Sequence, residues 1–266
     1  GSWDHSQGGP GPEHDDAQAR EWLEKAAAQG NANAQFSLGL MFKNGRGVAQ
    51  DYAKAREWLE KAAAQGLAEA QFNLGVMHKN GQGVAQSYAQ AREWWEKAAA
   101  RGNAQAQYNL GVMYHDGYGV AQDYAQAREW WEKAAVQGHA EAQHNLGVMY
   151  HDGHGVAQDY AKAREWFEKA AAQGFVEAQT NLGVMYYRGR GVAQDYSKAR
   201  EWWEKAAAQG NAGAQSNLGV MYEYGQGVAQ NDAKAREWFE KAAAQTENAE
   251  NAEAVRKARQ ALERML

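Results

Sequence analysis

Residues 32–65 read ANAQFSLGLMFKNGRGVAQDYAKAREWLEKAAAQ, and nearly the same text returns five more times at intervals of 36 residues. Trp58, Trp94, Trp130, Trp166, Trp202 and Trp238 keep that interval, and Trp22 extends it backwards. A Leu-Gly pair keeps step at Leu38-Gly39, Leu74-Gly75, Leu110-Gly111, Leu146-Gly147, Leu182-Gly183 and Leu218-Gly219. A period between roughly 20 and 50 residues belongs to solenoids, in which no unit buries its apolar face without its neighbours. The chain therefore reads as one array whose function lies on the surface that the array creates.

Within the quoted unit a first helix, helix A, is expected over Ala32 to Asn44 and a second, helix B, over about Asp51 to Gln65. Asp51 has the side chain of an N-cap, able to accept from orphan N–H groups. Ser87, Asp123, Asp159, Asp195 and Asn231 stand at the equivalent positions, and Asp15 before Trp22. Gly45 reads as a left-handed C-cap, with Gly47 easing the next turn, Val48 pinning the loop and Gly66 closing helix B. This G-x-G follows a helix, whereas phosphate-cradling loops follow a strand, so a nucleotide site is not read here. Gly39 weakens helix A, which is tolerable where another helix passes over its missing side chain. Arg56 with Glu60, and Glu57 with Lys61, are four apart, but such pairs contribute only about 0.2–0.5 kcal/mol each. Packing of Trp58 and the alanine stripe is expected to dominate.

Composition narrows the function. A formal net charge of -5 argues against nucleic acid as a partner. Cysteine is absent, which removes disulfides, thiolate metal sites and cysteine nucleophiles together. No apolar run is long enough to cross a membrane, and no signal peptide is recognised. Gly1-Ser2 has the look of a cleaved tag, so a natural leader could have been trimmed. Serines are few and none sits in a G-x-S-x-G turn; the paired acids fall mostly on the repeating helix B face. A non-enzymatic role is expected, with no cofactor.

The units, A-x-A-Q-x-N-L-G-V-M-Y…G-x-G-V-A-Q-D-Y-x-K-A-R-E-W-x-E-K-A-A-A-Q-G, resemble Sel1-like repeats, a branch of the tetratricopeptide-type helical hairpins. The resemblance implies an all-α, right-handed α-solenoid of antiparallel helix pairs with helix A on the concave side. It also implies a non-catalytic adaptor or scaffold role, and by analogy with bacterial relatives a periplasmic or secreted home. Some relatives carry cysteines in each repeat; this chain has none, so their stapling and ligand claims are not carried over. Tetratricopeptide domains that grip a C-terminal carboxylate carry Asn just after the helix A glycine. Here that place is Val or Leu, and Asn73, Asn109, Asn145, Asn181 and Asn217 precede the Leu-Gly instead.

Binding sites on a repeat frame belong where the units differ. Ala34, Leu38 and Met41 recur unchanged and mark the core face of helix A. The opposite arc holds the positions of residues 33, 36, 40, 43 and 44. Position 40 stays aliphatic (Leu40, Val76, Val112, Val148, Val184, Val220) and forms a strip flanked by side chains that change along the chain. The candidate groove residues are Phe36, Lys43, Phe72, Val76, Lys79, Tyr108, Val112, His115, Asp116, His144, His151, Asp152, Tyr187, Arg188 and Tyr224. Apolar anchors on a floor with polar contacts fixing register suit an extended peptide or protein segment. The reading from another class is a small-ligand or metal-binding protein using the His/Asp middle. There His115 and His151, in neighbouring units, are the candidate ligands. Self-association of the array is a third reading.

Organisation follows from the repeat. Residues 1–14 read as a flexible tail with the tag remnant, Trp3 being an aromatic that could dock in a groove. Residues 15–30 read as an N-terminal half repeat, 31–245 as six repeats, and 246–266 as a capping helix. Val255, Ala258, Leu262 and Met265 give that helix its apolar stripe.

Overall fold

The structure, a computed structural model, describes residues 12–266, with side chains from residue 17 onward. The tail around Trp3 and its docking lie outside the described residues. Among the described residues the chain forms fourteen α-helices and no strand: α1 (Pro12–Ala28), α2 (Ala32–Asn44), α3 (Tyr52–Ala64), α4 (Ala68–Asn80), α5 (Tyr88–Ala100), α6 (Ala104–Asp116), α7 (Tyr124–Val136), α8 (Ala140–Asp152), α9 (Tyr160–Ala172), α10 (Val176–Arg188), α11 (Tyr196–Ala208), α12 (Ala212–Tyr224), α13 (Asp232–Ala243) and α14 (Ala252–Arg264). Even-numbered helices from α2 to α12 are the A helices, and odd-numbered ones from α3 to α13 the B helices. They group into two compact units, one ending at Trp130 and one starting at Trp131.

Local chemistry sets the helix ends. Asp51 accepts from the Lys54 amide at 3.1 Å, and Ser87, Asp123, Asp159, Asp195 and Asn231 cap their helices the same way. Gly45 is left-handed at φ 68 and ψ 38, and its N–H closes on the Met41 carbonyl. Helix α1 corrects one expectation: it begins at Pro12, so Asp15 lies inside it rather than at its N-cap. Proline suits a first helical turn because its missing N–H would have no partner there.

In the first unit, Ala55, Leu59, Ala62, Ala63, Ala70, Leu74 and Met77 form one buried cluster from α3 and α4. Ala91, Trp95, Ala98, Ala99, Ala106, Leu110 and Met113 form the next, from α5 and α6. In the second unit a larger cluster runs from Ala163 and Phe167 through Leu182 and Trp203 to Met221. At its end Ala235, Phe239 and Ala242 pack with Ala258 and Ala261 of α14, with Leu262 and Met265 at the margin.

The periodic tryptophan is not the residue that fills the core. Trp58, Trp94, Trp130, Trp166, Trp202 and Trp238 are all half-buried. The following position is the buried one: Leu59, Trp95, Trp131, Phe167, Trp203 and Phe239. That side chain occupies the gap left by the helix A glycine. A β-carbon on Gly39 would lie 2.7 Å from Leu59 Cγ, and one on Gly219 would lie 2.6 Å from Phe239 Cε1. Helix B thus approaches helix A where helix A has no side chain, as the Leu-Gly pair suggested. Trp58 leans instead on the preceding cluster of Ala27, Ala34 and Leu38, and Trp94 on the Ala55–Met77 cluster. The expected Glu57–Lys61 pair gives way to Lys61 lying over the Trp58 ring, 4.5 Å from its centroid. Arg56 and Glu60 do pair, at 3.6 Å.

Candidate binding surface

Every groove candidate is partly or fully exposed. The aliphatic strip is half-exposed throughout, from Leu40 and Val76 to Val184 and Val220. Each candidate is nonetheless tied into its surroundings differently.

In the first unit Phe36 packs against the Ala55–Met77 cluster, and Phe72 and Val76 against the Ala91–Met113 cluster. Lys43 donates from Nζ to Asn73 Oδ1 at 3.3 Å, and partial burial pushes its ammonium below the ordinary lysine range. Lys79, Tyr108 and Val112 come together in a cavity of about 370 Å³ with Tyr88, Trp95, Asn109, Met113 and Tyr118. Tyr88 and Tyr118 stack there, ring centroids 5.4 Å apart. Trp95 spends its indole N–H on the Phe72 carbonyl at 3.1 Å, which leaves only its ring to line the space. His115 is 2.7 Å from Asp116 through Nδ1 and tilts against Tyr124 at 5.1 Å.

In the second unit His144 is half-buried. Its ring lies 5.6 Å from Phe167 and 5.0 Å from Phe175, with Nε2 3.1 Å from the Asn181 amide nitrogen. Burial lowers its pKa, opposed by Glu177, a hydrogen bond with Asn145, and Glu141. His151 holds Asp152 at 2.7 Å through Nδ1 and faces Arg190 Nη1 at 3.4 Å through Nε2. These two side chains line a cavity of about 210 Å³ with Val148, Phe167, Asn181, Val184 and Arg190. Tyr187 and Arg188 line one of about 120 Å³ with Val184, Trp203, Asn217 and Val220. Tyr224 is 61% exposed. Among the described residues no three His, Cys, Asp or Glu side chains gather where they could hold one metal ion. His115 and His151 each keep to the aspartate that follows them.

The three cavities are built from equivalent positions. Lys79, Trp95, Asn109 and Val112 correspond by whole repeats to His151, Phe167, Asn181 and Val184, and to Tyr187, Trp203, Asn217 and Val220; Tyr118 corresponds to Arg190, which lines its cavity, and to Gln226, which bonds Tyr187. Each lies where the end of one A helix meets its own B helix and the next A helix. The sequence reading had named only some of these residues. Tyr88, Trp95, Tyr118 and Arg190 escaped it, although one signal was present: the middle residue of G-x-G runs Arg46, Gln82, Tyr118, His154, Arg190, Gln226, with a phenol at one place only.

A further cleft of about 370 Å³ lies beside the starts of α10 and α12, bounded by Gln209, Asn211, Gln245 and Asn251. Its amides are engaged internally: Gln209 donates to the Gly174 carbonyl, Gln245 to that of Gly210, and Asn211 accepts from the Ala214 amide.

Capped helix hairpins recurring every 36 residues define a helical-repeat protein. The Sel1 repeat model matches residues 4–31, 32–67, 68–103, 104–139, 140–175, 176–211 and 212–246, and the chain belongs to the Sel1 repeat family. It is similar to c5321, a protective antigen of uropathogenic Escherichia coli with an SLR fold, at 39% identity and a TM-score of 0.85. That match covers 92% of this chain and 57% of the E. coli chain, so this chain spans little more than half of that relative's length. A Sel1 repeat protein from Oxalobacter formigenes matches at 33% identity and a TM-score of 0.72, covering 86% of this chain and 95% of its own. Comparison with curated proteins finds no match. Sel1 repeats generally mediate protein–protein interaction, and proteins built from them are generally non-enzymatic. Among the described residues no helix is long and apolar enough to cross a membrane.

Proposed function

We propose that this chain is a protein-interaction module that holds an extended segment of a partner against its helix A faces. The observation that carries this reading is the contrast between the two sides of helix A. Ala34, Leu38 and their equivalents are buried and do not change, while the half-exposed aliphatic strip is flanked by residues that change from repeat to repeat. Val76, Val148, Val184 and Val220 rest in part on the buried clusters beneath them, and the exposed part of each, with that of Val112, is apolar surface that solubility alone does not call for. Apolar floor positions next to differing polar neighbours give anchors and register to an extended chain. Phe36, Lys43, Phe72, Lys79, Tyr108, His115, Asp116, His151, Asp152, Tyr187, Arg188 and Tyr224 are the flanking contacts of this reading.

Panning a library of random short peptides on the purified chain tests it. Recurrent sequences are expected to be enriched, and their binding to drop about tenfold or more when Val112→Glu and Val184→Glu are introduced together. Enriched peptides indifferent to both substitutions, or no enrichment, would remove the helix A face from consideration.

A further inference from the structure

The three equivalent cavities differ in whether their own side chains close them. The comparison turns on two positions 39 residues apart: the penultimate residue of helix A, and the middle residue of the next G-x-G loop. Where these are Tyr187 and Gln226, the phenol donates to Gln226 Oε1 at 2.6 Å, and the space left is about 120 Å³. Where they are His151 and Arg190, the contact is 3.4 Å and the space about 210 Å³. Where they are Lys79 and Tyr118, no hydrogen bond joins them, and the space is about 370 Å³. Tyr118 turns to stack on Tyr88 instead. Lys79 makes no hydrogen bond or ion pair among the described residues, whereas Lys43, its equivalent one repeat earlier, bonds to Asn73.

We infer that this open cavity is an anchoring site for an aromatic side chain followed directly by an acidic residue inside an extended peptide. The inference rests on the interaction-module reading and specifies the chemistry of its ligand. Four aromatic rings, Tyr88, Trp95, Tyr108 and Tyr118, line the cavity with Val112, and its volume lies within the range of natural ligand pockets. Ring faces stack with another ring. They also attract cations, but the one formal charge in the lining is the Lys79 ammonium, and no carboxylate lines the cavity. A cationic side chain would meet that like charge, whereas a carboxylate at the rim would find an unengaged partner. The carboxylate is assigned to an acidic side chain rather than to a chain terminus. Terminal carboxylates are captured in nests of backbone N–H groups, whereas the charge offered here is one side-chain ammonium, that of Lys79.

The test uses acetylated, amidated peptides of Gly, Ser and Ala carrying one central Phe-Glu, with Phe-Gln, Ala-Glu and Phe-Lys versions. A further peptide ends in Phe with a free carboxylate. Binding is read by fluorescence anisotropy. Phe-Glu is expected to bind about three- to fivefold tighter than Phe-Gln, as an exposed ion pair allows, and about tenfold tighter than Ala-Glu. Lys79→Glu is expected to invert the preference towards Phe-Lys, and Tyr118→Ala to weaken Phe-Glu about tenfold. Both side chains are exposed, and unchanged circular dichroism and melting temperature would confirm that both variants stay folded. Equal binding of Phe-Glu and Phe-Gln, a preference for Phe-Lys in the unaltered chain, or a preference for terminal Phe overturns the inference. Library-selected peptides that need the valine strip but ignore Lys79 and Tyr118 would overturn it while leaving the broader function standing.

Discussion

Nε2 of Gln65 donates to Oε1 of Gln35 at 2.8 Å and also to the Gly30 carbonyl at 2.9 Å, tying the end of a B helix to a buried glutamine on its own A helix. Gln35 completes its amide by donating to the Ala27 carbonyl at 3.2 Å. The same pair recurs as Gln173 with Gln143, Gln209 with Gln179, and Gln245 with Gln215, each at 2.9 Å. The repeat from 68 to 101 departs from it, because Arg101 stands where the others have glutamine.

Arg101 lies over Gly66, where a β-carbon would come within 2.5 Å of Nη2, and Gln71 Oε1 is buried without a donor. An unmet buried acceptor costs on the order of 1–3 kcal/mol. Arg101→Gln is therefore expected to stabilise the chain by about 1 kcal/mol, seen as a higher urea midpoint with an unchanged slope. Gln65→Ala should do the reverse, leaving Gln35 Oε1 in the state that Gln71 already occupies.

The helix A glycines make a second, paired prediction. Gly219→Ala places a methyl against the buried ring of Phe239, and overpacking costs typically 1–3 kcal/mol. The gain in helix propensity, about 1 kcal/mol, offsets only part of that, so the melting temperature falls. Gly213 sits in the first turn of α12, where the nearest atom to an added β-carbon is Asn211 Oδ1 at 3.2 Å. Gly213→Ala is expected to be neutral or slightly stabilising. Equal losses at both positions would mean that the close approach of Phe239 is not what requires glycine at 219.

Helix bounds, caps and the Leu-Gly contact were legible because each depends on residues near in sequence, and six copies repeat the signal. The core residue of helix B was not. Periodicity drew the eye to Trp58, whereas the buried neighbour varies between Leu59, Trp95 and Phe167 because it needs only to fill the space beside a glycine. The cavities were half legible. Lys79, Tyr108, Val112, His151 and Tyr187 stand on the arc that helical geometry turns outward. Tyr118 and Arg190 reach the same places from a loop 39 residues later, an offset that no single-helix projection reveals. The surroundings of His144 were hidden for a related reason: two phenylalanines, one on α9 and one just before α10, lie against its ring.

Those phenylalanines give His144 a predictable titration. Burial lowers its pKa most, while Glu177, the Asn145 hydrogen bond and Glu141 raise it, and the net direction is down. An Asn181 N–H donated to Nε2 also requires that nitrogen to be unprotonated. A depressed histidine pKa means that the unfolded chain binds the proton more readily. Stability is then full above the ordinary histidine range, falls as pH drops through it, and levels off below the lowered folded value. His78 and His139, also lowered chiefly by burial, add the same sign. Urea unfolding at about pH 7.5 and about pH 5 should show the loss, and His144→Gln should reduce it without abolishing it. An unchanged pH dependence in the variant would count against a desolvated ring.

Adjacent tryptophans separate packing within a repeat from packing between repeats. Trp95 is 2% exposed, fills the space beside Gly75 and donates to the Phe72 carbonyl. Trp95→Ala should cost on the order of 3–5 kcal/mol, as buried aromatic truncations do. Trp94 is half-buried and leans on the preceding Ala55–Met77 cluster, with Lys97 over its ring at 4.6 Å. Its cation–π contact is worth about 0.5–1 kcal/mol at an exposed site, so Trp94→Ala should cost less in total. The loss falls on a nearest-neighbour interface, however, and in a quasi-one-dimensional array such interfaces carry the cooperativity. Trp94→Ala is therefore expected to broaden the urea transition and to lower hydrogen-exchange protection in α3 and α4 before α5, whereas Trp95→Ala lowers α5 and α6 directly. If both variants lose protection in the same helices and to the same degree, the periodic tryptophan is an ordinary core residue and the staple between repeats lies elsewhere.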